Sequence, residues 1–188
     1  SNDFKPYLKH LQKNNIDTSH INLVKNDFTA NAFAMTDKNN CQIWGFYPGA
    51  VKETGNLSIT SYQDIDEYAL LVIAPATAVS LINFAKQAKK LRLPFIFSPG
   101  QELLNMNKDQ VIEGIDGSLF FIVNDYELAL IFQKTGYTKK DILNRTQFLV
   151  TTLGDQGSTI ETKNEQITIG IVKPKKVIDP TGAGDAYI

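Results

Sequence analysis

Cysteine is nearly missing from these 188 residues, which contain only Cys41. A single thiol cannot staple the chain internally, so a reducing, cytoplasmic setting is expected. Cys41 stands beside Ile43 and Trp44 in a strand-like run and reads as packing material, not as a nucleophile. No apolar run approaches the roughly 18–20 residues of a membrane-spanning helix, so no membrane partner is expected. The opening SNDFKPYLKHL has no cationic leader followed by an apolar stretch and does not read as a signal peptide. An excess of one charge is also lacking: 19 Lys and Arg face 20 Asp and Glu, for a net charge of −1. Nucleic-acid binding needs a clustered cationic excess. The groups Lys86/Lys89/Lys90/Arg92 and Lys173/Lys175/Lys176 are short and read as solvated faces, so no nucleic-acid partner is expected.

Several catalytic signatures are absent as well. There is no C-x-x-C, H-E-x-x-H or G-x-S-x-G, and His10 and His20 lack ligand spacing, so zinc and serine-hydrolase chemistry are unsupported. No Gly-Lys dipeptide occurs, which excludes a Walker A loop. A dinucleotide fingerprint starting at Gly182 would need glycine at position 187, which is Tyr187.

What remains is an ordinary globular composition, 43% hydrophobic and 21% charged, long enough to bury a core without staples. Apolar spacing predicts a helix over Phe4–Asn14, then short strands at Ile21–Val24, Ala30–Thr36 and Cys41–Tyr47. The turn residues Asp37-Lys38-Asn39-Asn40 make the last two a hairpin. From residue 62 the rhythm becomes strand–helix alternation. Strands are predicted at Tyr68–Ala74, Leu93–Ser98, Ser118–Val123, Phe148–Leu153, Ser158–Thr162 and Gln166–Val172. Helices are predicted at Ala76–Leu91, Lys108–Ile115, Tyr126–Gln133 and from Thr138 to Asn144. Near-continuous apolar strands separated by helices imply an α/β fold with a mainly parallel sheet covered on both faces. Ligands bind beyond the carboxyl ends of such strands, so the loops after Ser98, Asn124, Leu153 and Asp179 are the ones to read.

Asp179-Pro180-Thr181-Gly182-Ala183-Gly184-Asp185 is the strongest of these. Its glycines permit tight, positive-φ backbone, and a helix opening there would aim free N–H groups at a phosphate. A carboxylate beside a phosphate site, Asp185, suits removal of a proton from an attacking hydroxyl. The same string also fits a glycine-rich turn with a capping aspartate. Asn124-Asp125-Tyr126-Glu127 follows an apolar strand. Asn124 and Glu127 could hold a hydrated Mg²⁺, and the spacing equally describes a helix capping box. Thr151-Thr152-Leu153-Gly154-Asp155-Gln156-Gly157-Ser158 reads as a hairpin that could wall a nucleotide pocket.

Three motifs in this order resemble the PfkB, or ribokinase-like, carbohydrate and nucleoside kinases: NDYE at 124–127, TTLGDQGS at 151–158 and DPTGAGDAY at 179–187. The stretch FTANAFAMTDKNNCQIWGFYPGAV (28–51) and SPGQ (98–101) are most similar to the bacterial adenosine kinase branch, although Ser98 replaces its aspartate. The resemblance implies a ribokinase-like fold with a small β lid over about residues 21–47 and an α/β body over about 1–20 and 62–188. It implies ATP and Mg²⁺ as cofactors. Asp185 would be the catalytic base, and Gly182, Ala183 and Gly184 the anion hole. Asn124, Thr152, Gly154 and Gly157 would lie on the ATP side, with Glu127 and Asn124 organising Mg²⁺ through water and phosphate. Phe33 and Phe46 are candidates to stack on a purine, and packing is an equal reading for both. Lid strands in this family often pair between subunits, which implies a homodimer through the lid. The expected reaction is phosphorylation of a hydroxymethyl group, adenosine to AMP. A sugar kinase of the ribose or fructose type and a non-catalytic nucleotide-binding fragment stay open. The resemblance also leads us to expect further strands before Ser1, and an adenine-closing segment after Ile188.

Overall fold

The computed structural model describes residues 3–38, 42–176 and 181–188. The readings made for Asn39, Asn40, Cys41, Asp179 and Pro180 lie outside those residues. Contacts divide the chain into two compact units, Ser1–Leu57 and Ser58–Ile188.

In the first unit, helix α1 covers Lys5–Lys13, with Pro6 in its first turn. Proline is tolerated there because its missing N–H would have no intrahelical partner. Asn15, with φ +57°, takes the chain out of the helix. Strands β1 (Asn31–Thr36) and β2 (Gln42–Tyr47) form the expected antiparallel hairpin, with Phe33 opposite Gly45 and Ala32 opposite Phe46. Ile21–Val24 was expected as a strand and is irregular instead. An apolar run becomes a strand only where a neighbour completes its ladder, and the only described partnership in this unit is β1 with β2. Contacts group α1 with the hairpin, whereas the sequence reading assigned residues 1–20 to the α/β body.

The second unit carries a six-stranded sheet. In chain order its elements are β3 (Leu71–Ile73), α2 (Ala78–Leu91), β4 (Phe95–Phe97), α3 (Lys108–Ile115), β5 (Phe120–Asn124), α4 (Asp125–Thr135), α5 (Lys139–Leu143), β6 (Phe148–Thr152), β7 (Ser158–Glu161), β8 (Gln166–Ile169) and α6 (Ala183–Tyr187). Strands β3 to β6 are parallel neighbours in sequence order, and β6–β7–β8 is an antiparallel meander. The alternation of strand and helix is as expected, but the strands are shorter. Tyr68–Ala74 keeps only three ladder residues, Leu71, Val72 and Ile73, the ones that pair with β4. Strand β8 stops at Ile169, and Val172 is almost fully exposed.

A sheet whose parallel strands advance in one direction receives all its right-handed crossovers on one face. Accordingly α2, α3, α4 and α5 share the main core with Phe95, Phe97, Phe121 and Leu149. The opposite face has a smaller cluster of Ile96, Ile122 and Val150, against which Ile188 at the end of α6 packs. The two faces are therefore covered unequally: α2 to α5 pack on one, and Ile188, the residue after α6, packs on the other. Gly114 on α3 permits a close approach of helix to sheet: a Cβ there would collide with the ring of Phe97. Among the described residues no helix is long and apolar enough to cross a membrane.

Candidate functional site

The parallel strands end at a common edge, and the loops leaving it enclose a cleft of about 470 Å³. At the end of β5, Asn124 caps α4. Its Oδ1 accepts from the Glu127 N–H at 2.7 Å, and Glu127 Oε2 accepts from the Asn124 N–H at 3.0 Å. The capping box read from the sequence is therefore formed, and the same two residues line the cleft. Burial raises the Glu127 carboxyl above its ordinary value of 4.5, and the hydrogen bond from the Asn124 N–H partly offsets this. A half-buried carboxylate in that condition favours a nearby cation. Its Oε1 accepts no hydrogen bond from the described residues.

Thr152 ends β6 directly opposite Asn124 in the parallel register, and it too lines the cleft. After it the chain turns through Gly154 (φ +58°) and Gly157 (φ +92°) into β7. Neither glycine is part of the cleft lining. Gly157 serves the hairpin itself, since a Cβ there would collide with the Ile169 carbonyl of β8.

The third wall comes from the chain's last residues. Gly182 sits at φ +80° and leads into α6. Gly182, Gly184 and Asp185 face the cleft, whereas Ala183 is not part of its lining. A Cβ at Gly184 would meet no protein atom, so open space lies over that backbone. Asp185 makes no hydrogen bond or ion pair with the described residues. It is an exposed carboxylate at the mouth, across from Asn124 and Glu127.

The loop after Ser98, one of the four read from the sequence, supplies a further wall, and Pro75 joins it. Pro75, Ser98, Gly100 and Gln101 belong to the lining, with Ile122, Val123 and Ile188 beside them. Gly100 (φ +54°) lies so near Pro75 that an added Cβ would be 2.6 Å from its Cγ. Glu102 fixes this loop by accepting from the Ala78 N–H at 2.9 Å at the start of α2. The SPGQ string was the available signal; its approach to Pro75 is a tertiary fact. Ser98, at 5% exposure, is almost wholly enclosed. Phe33 and Phe46 lie in the other unit, on β1 and β2.

Among the described residues, no group of three or more His, Cys, Asp and Glu side chains could cage a metal ion. Magnesium does not require one, because it keeps several waters and binds through one or two protein oxygens plus phosphate. Glu127 and Asn124 fit that role, with Oε1 of Glu127 as the available anionic oxygen.

The chain matches the model of the pfkB family carbohydrate kinases over residues 2–188. It is 33% identical over 187 residues to the nucleoside kinase of Methanocaldococcus jannaschii, covering 98% of this chain and 60% of that protein. It is 30% identical to the nucleoside kinase of Burkholderia thailandensis, solved in complex with inosine; the TM-score is 0.92, over 98% of this chain and 61% of that one. The same Burkholderia enzyme in complex with ADP-inosine superposes with a TM-score of 0.90 at 30% identity, over 98% of this chain and 57% of the other. The chain thus spans about 60% of the length of the relatives it matches. The ordered motifs, the ribokinase-like sheet and the match over nearly every residue lead to one conclusion: this chain belongs to the pfkB family of carbohydrate kinases.

Proposed function

We propose that the protein containing this chain is an ATP-dependent nucleoside kinase that phosphorylates the hydroxymethyl group of its substrate, with adenosine as the preferred acceptor. The observation that carries this reading is the meeting of Asn124, Glu127, Thr152, Gly182, Gly184 and Asp185 around one cleft. Phosphoryl transfer asks a protein mainly for positioning and charge neutralisation. Asp185 accepts the proton of the attacking hydroxyl. The backbone of Gly182 to Gly184, with Ala183 contributing only main chain, receives the oxygens of the transferred group. Asn124 and Glu127 orient the water and phosphate shell of Mg²⁺, which when bound neutralises charge between the phosphates. Thr152 and the Gly154–Gly157 turn border the ATP side. Support comes from relatives named as nucleoside kinases and from a similar enzyme solved with inosine and with ADP-inosine. We further propose that the β1–β2 hairpin is the lid and that two copies pair through it.

The test is ADP release by the whole protein with adenosine, inosine, cytidine, ribose and fructose as acceptors. Adenosine should give the highest kcat/KM. A higher value for inosine moves the substrate within the nucleosides, and a higher value for a free sugar overturns the nucleoside reading. Asp185→Asn should lower kcat by at least about 10²-fold, the usual scale for a lost general base, while ATP still binds.

A further inference from the structure

We infer that Tyr187 and Ser158 form a positioning device for Asp185, through the hydrogen bond between their hydroxyls. The two oxygens are 2.8 Å apart. The inference rests on the role proposed for Asp185 and goes beyond it, because neither hydroxyl belongs to the reacting groups.

Helix α6 has five residues and no side-chain cap. At its start the Ala186 N–H donates to the carbonyl of the N-cap Gly182 at 3.0 Å. A helix this short has no stability of its own in water, so tertiary contacts must fix its place. Two contacts do so. Ile188 packs on Ile96, Ile122 and Val150. Apolar packing is non-directional: it sets how close the helix lies to the sheet, not its rotation about its own axis. The hydroxyl pair is directional and sets that rotation. Residues two apart on a helix point about 200° apart. Holding Tyr187 against β7 therefore turns Asp185 the other way, and Asp185 does face the cleft.

The anchor point is itself fixed. Ser158 is only 1% exposed, and it opens β7 directly opposite Thr152. Thr152 in turn lies opposite Asn124. The phenol thus ties the base-bearing turn to the same strand rungs that carry the other side of the cleft. Small displacements of reacting groups are costly in rate, with a 1 Å error worth about 10²-fold. One directional bond at this place therefore matters more for turnover than for stability.

The experiment compares Tyr187→Phe, Ser158→Ala and the double variant in the whole protein, using two readouts. In each single variant kcat should fall about tenfold while KM for the nucleoside stays within about twofold, and the double variant should be no worse than either single. Amide exchange at Ala186 should speed up at least about fivefold in both single variants, with the thermal midpoint nearly unchanged. Exchange equal to wild type in the single variants overturns the inference, whether or not the protein transfers a phosphoryl group. Wild-type activity with kcat unaltered in Tyr187→Phe also overturns it. A wild-type protein with no transfer activity, yet with faster Ala186 exchange in the variants, upholds the tie and overturns the proposed reaction.

Discussion

Asn124 and Glu127 satisfy each other's backbone N–H groups at 2.7 and 3.0 Å while both face the cleft. One pair of side chains thus starts a helix and forms a wall of the site. The two duties separate experimentally. Asn124→Ala should lose the cap, at a cost of about 1 kcal/mol, read as a lower denaturation midpoint. Asn124→Ser keeps a good cap and should hold stability within a few tenths of a kcal/mol. Its turnover should still fall at least about tenfold, because the amide is gone. Full activity in the serine variant would reduce Asn124 to a cap.

Burial raises the Glu127 carboxyl above 4.5, so the folded chain binds its proton more tightly than the unfolded chain does. The sign follows. Its contribution to stability is fully present below pH 4.5 and is lost as pH rises through the raised value. Glu127→Gln keeps an oxygen for the Asn124 N–H and removes the charge. Chemical denaturation of the metal-free chain from pH 4 to 8 should show a smaller loss of stability with rising pH in the glutamine variant. Added Mg²⁺ and nucleotide should lessen that loss in the wild type only.

Phe33 and Phe46 cannot both stack on one base from the same face of the hairpin. Phe33 pairs with Gly45 and Phe46 with Ala32, adjacent rungs whose side chains leave opposite faces. Both rings are exposed, at 72% and 57%. Of Phe33→Ala and Phe46→Ala, only one should raise KM for the nucleoside in the whole protein. Steady-state kinetics on each variant decides it, and equal rises would mean that bases are gripped from both faces.

Gly114 faces the ring of Phe97, which is fully buried at 0% exposure. Gly114→Ala should therefore destabilise by about 1–3 kcal/mol through overpacking, despite alanine's better helix propensity. Pairing it with Phe97→Leu should recover part of that loss, measured as a double-mutant cycle in urea.

The features legible in the sequence were local ones. The Asn124–Glu127 box joins residues three apart, and it is present. Helix α3 appears at Lys108–Ile115, as its apolar spacing indicated. The strands were harder, because their ends depend on neighbours: Ile21–Val24 found no ladder, and Tyr68–Ala74 kept only Leu71–Ile73. The Asp185 turn was legible as a motif. Its anchor was not, since Ser158 and Tyr187 are 29 residues apart and nothing in local spacing joins them.

By itself, the sequence determined that no disulfide can form within these 188 residues, because they hold a single cysteine. The glycines at 182 and 184 and the residues Asn124, Glu127 and Asp185 were likewise fixed by sequence, because backbone freedom and side-chain type are properties of single positions. Tertiary structure decided which of them meet. The one-directional strand order put α2 to α5 on one face and opened a common edge at the carboxyl ends of the strands. Parallel register then set Thr152 opposite Asn124, and the packing of Ile188 and Tyr187 brought Asp185 to the same cleft.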